Sequence, residues 1–382
     1  MTMLGSEKAR GIFWQIVLVA TVVGVAWYLI TNTQANLAAR NISVGFGFLA
    51  KEAGFEIGES LISYDSSHSY LRAFFVGLGN TLFVAVIGII LATLIGLIVG
   101  IMRLSDNWLV SRVAAWYVEV MRNIPLLLQL LVWYGLITEL LPPIRQSIEL
   151  GGLVYLNQRG LRIAWPQAHP AIDAAQWALL AGIIVWWFWR RHARTVQDRT
   201  GRQLPILWPA LALIIGLPLV VWALGGAPTA LDVPKIAGFN FIGGRLMSPE
   251  FTALLIGLST YTAAFIAEIV RAGILAVDHG QTEASMALGL TPGQRLRLVT
   301  LPQALRVIIP PMTSQYLNLT KNSSLGVAIG YPDLVAVANT TMNQTGQAIE
   351  AIAITMGVYL FISLLISFAM NWYNNRVRLV ER

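Results

Sequence analysis

Polar side chains are scarce inside the long apolar runs of this chain, so the few that interrupt them carry information: Asn80 and Thr81, Gln129, and the closely spaced Asn318, Thr320, Lys321 and Asn322. A polar group surrounded by hydrocarbon is costly unless it faces water or a partner, so such residues mark candidate walls of a watery path for a polar solute. Lys321 follows an apolar run directly; its ammonium would hold a carboxylate or neutralise a gate, or its stem would snorkel the charge to an interface. Two charge pairs repeat one spacing, Glu119-x-x-Arg122 and Glu268-x-x-Arg271. Three residues apart on a helix, opposite charges share a face, and pairing is what makes them tolerable in lipid, so both are read as structural ion pairs.

Other chemistry is missing its parts. His68, His169, His192 and His279 lack metal-ligand spacing, and no cysteine exists to form a disulfide, a thiolate site or a nucleophile. No nucleophile-elbow pattern accompanies the serines. A phosphate-cradling loop needs a lysine after glycine, whereas Lys8, Lys51, Lys235 and Lys321 follow other residues. No catalytic residue, metal or cofactor is therefore expected in this chain.

The elements that must position these residues are read from hydropathy. Of 382 residues 56% are hydrophobic and only 12% charged, which points to lipid as the solvent. The net charge of +7 is dispersed between apolar runs and does not form the clustered basic face that nucleic acid requires. A span needs about 20 apolar residues, and eight stretches approach that: 12–30, 77–102, 116–138, 177–190, 206–224, 251–272, 304–320 and 350–372. The first lacks a cleavage pattern and is read as a retained span. Eight spans place both termini on the cytoplasmic side, and that side then collects sixteen of the 26 Lys and Arg against nine outside, Arg122 falling within a span. Arg190, Arg191, Arg194, Arg199 and Arg202 set one hairpin turn inside. Two long outside segments, 31–76 and 139–176, are expected to contain short surface helices, and a third, 225–250, to be an irregular loop. Pro125 and Pro310-Pro311 are expected to kink their helices and free carbonyls toward a cavity.

The segment 278–302 carries the sharpest pattern. Gln281 to Leu288 reads as a short helix with small residues at Ala284, Ser285 and Ala287, stopped by Gly289; Thr291-Pro292-x-Gln294 then has capping-box residues and starts a second helix. A stubby helix with a small-residue face between two sharp turns is shaped to dock in a partner's groove. Glu283, Ala284, Ser285, Gly289, Val299, Leu301 and Pro302 stand at the spacings of Glu-Ala-Ala-x-x-x-Gly, nine residues, then Ile-x-Leu-Pro, with serine for alanine and valine for isoleucine. In this the sequence resembles the permease subunits of binding-protein-dependent ATP-binding-cassette importers. Gly77-Leu78-Gly79-Asn80-Thr81, Arg122 to Gln129, and Lys321-Asn322-Ser323-Ser324-Leu325 are similar to the polar amino-acid permeases, and Gly45 to Leu49 with Ala53 to Phe55 and Ser69 to Phe74 resemble the general L-amino-acid branch.

The resemblance implies an all-α integral membrane protein, a type I importer transmembrane domain of about eight helices with a five-helix core. It divides the chain into an N-terminal helix and extracytoplasmic segment (1–76), two parts of the core (77–138 and 251–382) and an inserted region with a two-helix hairpin (139–250). It implies two ATP-binding subunits, a second permease chain that is homologous or identical, an extracytoplasmic amino-acid-binding protein, an amino-acid substrate and the bacterial inner membrane, with no nucleic acid. Glu283, Ala284, Ser285, Gly289, Leu301 and Pro302 would then couple the helices to ATPase closure. The rivals are an ion-gradient transporter or channel, which would use polar residues in spans, and a non-transporting membrane scaffold or sensor; neither has need of the docking loop.

Overall fold

The computed structural model describes residues 7–39, 45–238 and 240–377. Arg40, Arg378 and Arg382, counted in the charge balance, lie outside the described residues. In chain order the helices are α1 (Glu7–Ala39), α2 (Tyr70–Met102), α3 (Trp108–Asn123), α4 (Leu126–Gly135), α5 (Pro170–Thr200), α6 (Leu207–Leu211), α7 (Leu217–Leu224), α8 (Pro249–Leu275), α9 (His279–Ala287), α10 (Pro292–Arg295), α11 (Leu301–Asn322), α12 (Leu334–Thr345) and α13 (Ala348–Val377). They fall into two compact units, Met1–Gly135 with Glu250–Arg382, and Leu136–Pro249.

Among the described residues six helices are long and apolar enough to cross a membrane, and α3 with the helix from Leu126 to Leu140 makes a seventh if that pair is one span. Two elements separate this number from the expected eight or so. The third expected span is not one rod: it bends by 104° between α3 and α4, because Ile124 is forced into extended backbone ahead of Pro125. The seventh, α11, forms over 22 residues, but Gln303, Thr313, Gln315, Asn318 and Lys321 leave it too polar to pass as an ordinary span.

In the first unit, α2 carries the packing. Its Gly96 and Gly100 let α8 approach so closely that an added Cβ would lie 2.6 Å from Ile266 and 2.8 Å from the Ala267 carbonyl. This is the small-residue contact that lets helices associate where lipid removes the hydrophobic drive between them. Phe251, Leu254, Leu258 and Ile266 of α8 are fully buried with Leu130, Leu319, Tyr331 and Leu334. α12 answers to no sequence expectation; Asp333 caps it by accepting from the Ala336 amide at 2.8 Å, and Gly346 at φ +72° ends it. The segment before α2 is anchored by Phe48 and Ala53, which join Tyr70, Phe74, Leu334 and Val337 in one buried cluster. By contrast, none of the apolar stretch of α1 is buried among the described residues.

In the second unit, α5 pairs with α6 and α7 as a hairpin, Gly182 lying against the Leu213 carbonyl. Residues 139–176 hold, beside the expected short helix (Ile144–Gln146) and the start of α5, strands that the all-helical expectation did not include. Ile148–Leu150, Val154–Asn157, Gly160–Ile163 and Arg245–Met247 form an antiparallel four-stranded sheet. Gly151 and Gly152, both at positive φ, make the first hairpin turn, and the β-branched Ile148, Val154 and Ile163 suit the pleat.

Candidate coupling loop and solute path

The segment after α8 is built by its caps. The Asp278 carboxylate accepts from the Gly280 amide at 2.7 Å, starting α9, and Ser285 is the buried residue of that helix, 3% exposed. At the other end the amides of Gly289 and Leu290 donate to the carbonyls of Met286 (2.9 Å) and Ser285 (3.1 Å), with Gly289 at φ +73°. That pair of bonds is a Schellman stop, and it requires a left-handed residue that only glycine adopts freely. The capping box follows at once: the Thr291 amide donates to the Gln294 side chain at 3.0 Å, and the Gln294 amide returns to the Thr291 hydroxyl at 3.4 Å. From Pro292 the chain stays helical to Asn322, through a π turn at Leu296–Thr300. Pro302 removes a backbone donor there, and the wider turn accommodates its ring.

These caps divide the predicted coupling residues. Ser285 faces inward, its hydroxyl donating to the Thr282 carbonyl at 2.7 Å. Glu283, Ala284, Met286, Ala287 and Gly289 are exposed, as are Leu301 and, at 79%, Leu288; Pro302 is half-buried. The outward face of α9 is thus short side chains flanked by apolar ones. Glu283 pairs with His279 at 3.2 Å on that same surface.

The charged residues near this end are brought together differently from their spacing. Glu268 takes Arg271 at 2.6 Å as expected, and its other oxygen takes Arg103 at the end of α2, which links α2 to α8. Arg103 escaped the sequence because its partner is 165 residues away. Glu119 and Arg122 form no ion pair among the described residues; the Arg122 guanidinium lies over the Phe265 ring, 5.1 Å from its centre, on the exposed side of α3.

The seven polar candidates for the solute path separate into two groups. Asn80 donates to the carbonyls of Glu59 and Pro332 at 2.8 and 2.9 Å; the Thr81 hydroxyl accepts from the Leu334 amide at 3.1 Å. Both are buried and tie α2 to the start of α12. Gln129, also buried, donates to the carbonyls of Met121 and Ile124, both at 2.9 Å. Those are carbonyls that the break before Pro125 leaves without helical partners. Thr320 bonds back to the Tyr316 carbonyl at 2.8 Å and meets a cavity of about 430 Å³ whose other walls include Leu82, Val86, Val358 and Phe361. Its surroundings are apolar, not watery. Asn318 and Lys321 are exposed on α11 with Ser314 between them and the exposed Pro310 and Pro311, and Asn322 is half-buried. That stripe is polar on a helix whose neighbours lie in an apolar bundle, so it must meet water or a polar partner.

Comparison with known proteins matches the family model described as "Binding-protein-dependent transport system inner membrane component" over residues 199–379. The chain is 51% identical to the general L-amino acid transport system permease protein AapQ of Rhizobium johnstonii, over 98% of this chain and 94% of the relative. It is 50% identical to the putative amino-acid ABC transporter permease protein YhdX of Escherichia coli, over 99% and 96%. It is 43% identical to the glutamate/glutamine/aspartate/asparagine transport system permease protein BztB of Rhodobacter capsulatus, over 96% and 93%. None of these relatives favours an ion-gradient transporter or channel. With relatives matched end to end and a mostly helical fold rich in apolar helices, the chain belongs to the inner-membrane permease family of binding-protein-dependent ABC transporters.

Proposed function

We propose that this chain is a transmembrane subunit of a type I, ATP-driven importer of amino acids, general or acidic and polar in range, and that it forms part of the path they take. The observation that carries the reading is α9: a short helix fixed at both ends, with Ala284, Ala287 and Leu288 uncovered. Such a helix transmits force because its caps prevent it from unwinding when pushed. Two ATP-binding subunits would hold ATP and Mg²⁺ and seat this helix; a second homologous permease would complete the path; an extracytoplasmic amino-acid-binding protein would deliver substrate. The protein would lie in the bacterial inner membrane with both termini cytoplasmic. Closure of the ATPases would favour one of two arrangements of the helices, and release the other.

Lys321 and Asn318 are the side chains best placed to meet the substrate or its gate, since Asn80, Thr81, Gln129 and Thr320 are bonded to backbone and Asn322 is half-buried. An ammonium and an amide on one uncovered stripe match a carboxylate. The test is a reconstituted importer carrying Glu283→Ala or Ala284→Trp. Binding-protein-stimulated ATP hydrolysis and uptake are expected to fall together, roughly tenfold or more for the tryptophan, which cannot fit where a methyl group docks. Unchanged uptake with both variants would remove the coupling assignment.

A further inference from the structure

The helical hairpin of the second unit carries two joined clefts that no transport step uses. One, of about 440 Å³, is apolar and runs between α5 and α7, walled by Leu179, Leu219 and Trp222. The other, of about 580 Å³, lies at the start of α5 and is lined by Trp165, His169, Asp173 and Asp232. Pro166, Ile172 and Gln176 border both, so the apolar groove opens into the polar cleft. Both arms of the hairpin, α5 and the stretch Leu207–Leu224 that contains α6 and α7, are long and apolar enough to cross a membrane, which puts the groove against acyl chains and the cleft at the level of headgroups.

The polar cleft is not neutral in character. Asp173 stands in the first turn of α5 and makes no ion pair among the described residues, while Asp232 spends one oxygen on the Gly244 amide at 3.0 Å. His169 accepts from the Ala171 amide at Nδ1 (3.1 Å), so a neutral ring carries its proton on Nε2 and offers a donor. Arg245 lies on the Trp165 ring, 4.8 Å from its centre, and adds a cation at this end of the unit. Two carboxylates suit an ammonium; an imidazole donor, a guanidinium and the opening of a 31-residue helix suit a phosphate.

We propose that the hairpin binds one aminophospholipid of the bilayer, with an acyl chain in the groove between α5 and α7 and the headgroup in the cleft, its ammonium on Asp173 and Asp232. The site selects by headgroup: a phosphoglycerol lipid fills the same groove but brings no cation to the carboxylates.

Native mass spectrometry of the full chain, given equal phosphatidylethanolamine and phosphatidylglycerol, tests it. The wild type is expected to retain phosphatidylethanolamine by roughly three- to fivefold over phosphatidylglycerol, the worth of one or two exposed charge contacts. D173N with D232N should lose the preference and keep total lipid; Ala175→Trp, which plugs the groove, should lose both lipids. Circular dichroism checks that the surface double variant stays folded, so its outcome stands if the tryptophan variant does not fold. Equal retention by the wild type, or an unaltered preference in the double variant, overturns the proposal. So does displacement by soluble phosphoethanolamine, which would give the cleft to a free amine.

Discussion

Gln129 and Lys321 illustrate how two polar residues of similar appearance in the sequence differ in use. The Gln129 amide is spent on the carbonyls of Met121 and Ile124, and Lys321 is uncovered. Gln129→Leu is expected to take the donor away from the part-buried Met121 and Ile124 carbonyls and to lower stability by about 0.5–1.5 kcal/mol, seen as an earlier thermal midpoint of the solubilised chain. Lys321→Met should leave that midpoint within error and reduce uptake in the reconstituted importer. If the two variants exchange these effects, Gln129 is not structural glue and Lys321 does not serve the path. Glu268→Gln is expected to loosen Arg103 and Arg271 together, because one carboxylate serves both, so adding Arg103→Gln to it should cost far less than the two single changes summed.

Among elements, the contrast is between glycines that admit a neighbour and a glycine that turns the chain. Gly96→Leu would drive a side chain into Ile266 and the Ala263 carbonyl, and overpacking of this kind costs about 1–3 kcal/mol, which thermal unfolding in detergent would register. Around Gly289 there is open space, so Gly289→Ala meets no clash and pays only for a left-handed backbone, on the order of 1–2 kcal/mol. That strain is local to the end of α9. The expected outcome is an unchanged unfolding midpoint for the bundle with weakened coupling of ATP hydrolysis to uptake, which places the defect in the loop.

For the whole molecule, the uncovered surfaces are the informative ones. The apolar stretch of α1 has no buried side among the described residues and suits a lipid surface, whereas the Ser314–Asn318–Lys321 stripe needs water or polar company. The chain has no cysteine, so single replacements report cleanly. Asn318→Cys should react with a membrane-impermeant thiol reagent in the assembled importer, and Val19→Cys only with a lipophilic one. Equal labelling of both by the impermeant reagent would show that α11 and α1 share one environment and would remove Asn318 from the path.

The sequence by itself determined the membrane character, the positions of most long helices and the two caps around α9, because each depends on neighbours a few residues apart: hydropathy over a window, a glycine after a helix, a threonine three residues before a glutamine. Only the tertiary structure decided which polar residues are glue and which are exposed, that Arg103 reaches Glu268, that Arg122 turns to Phe265 instead of Glu119, and that α12 intervenes before α13. Those outcomes hang on pairings between distant parts of the chain. A buried asparagine reads the same in sequence whether its amide meets two carbonyls or a passing solute, and only the position of Pro332 beside Asn80 tells them apart.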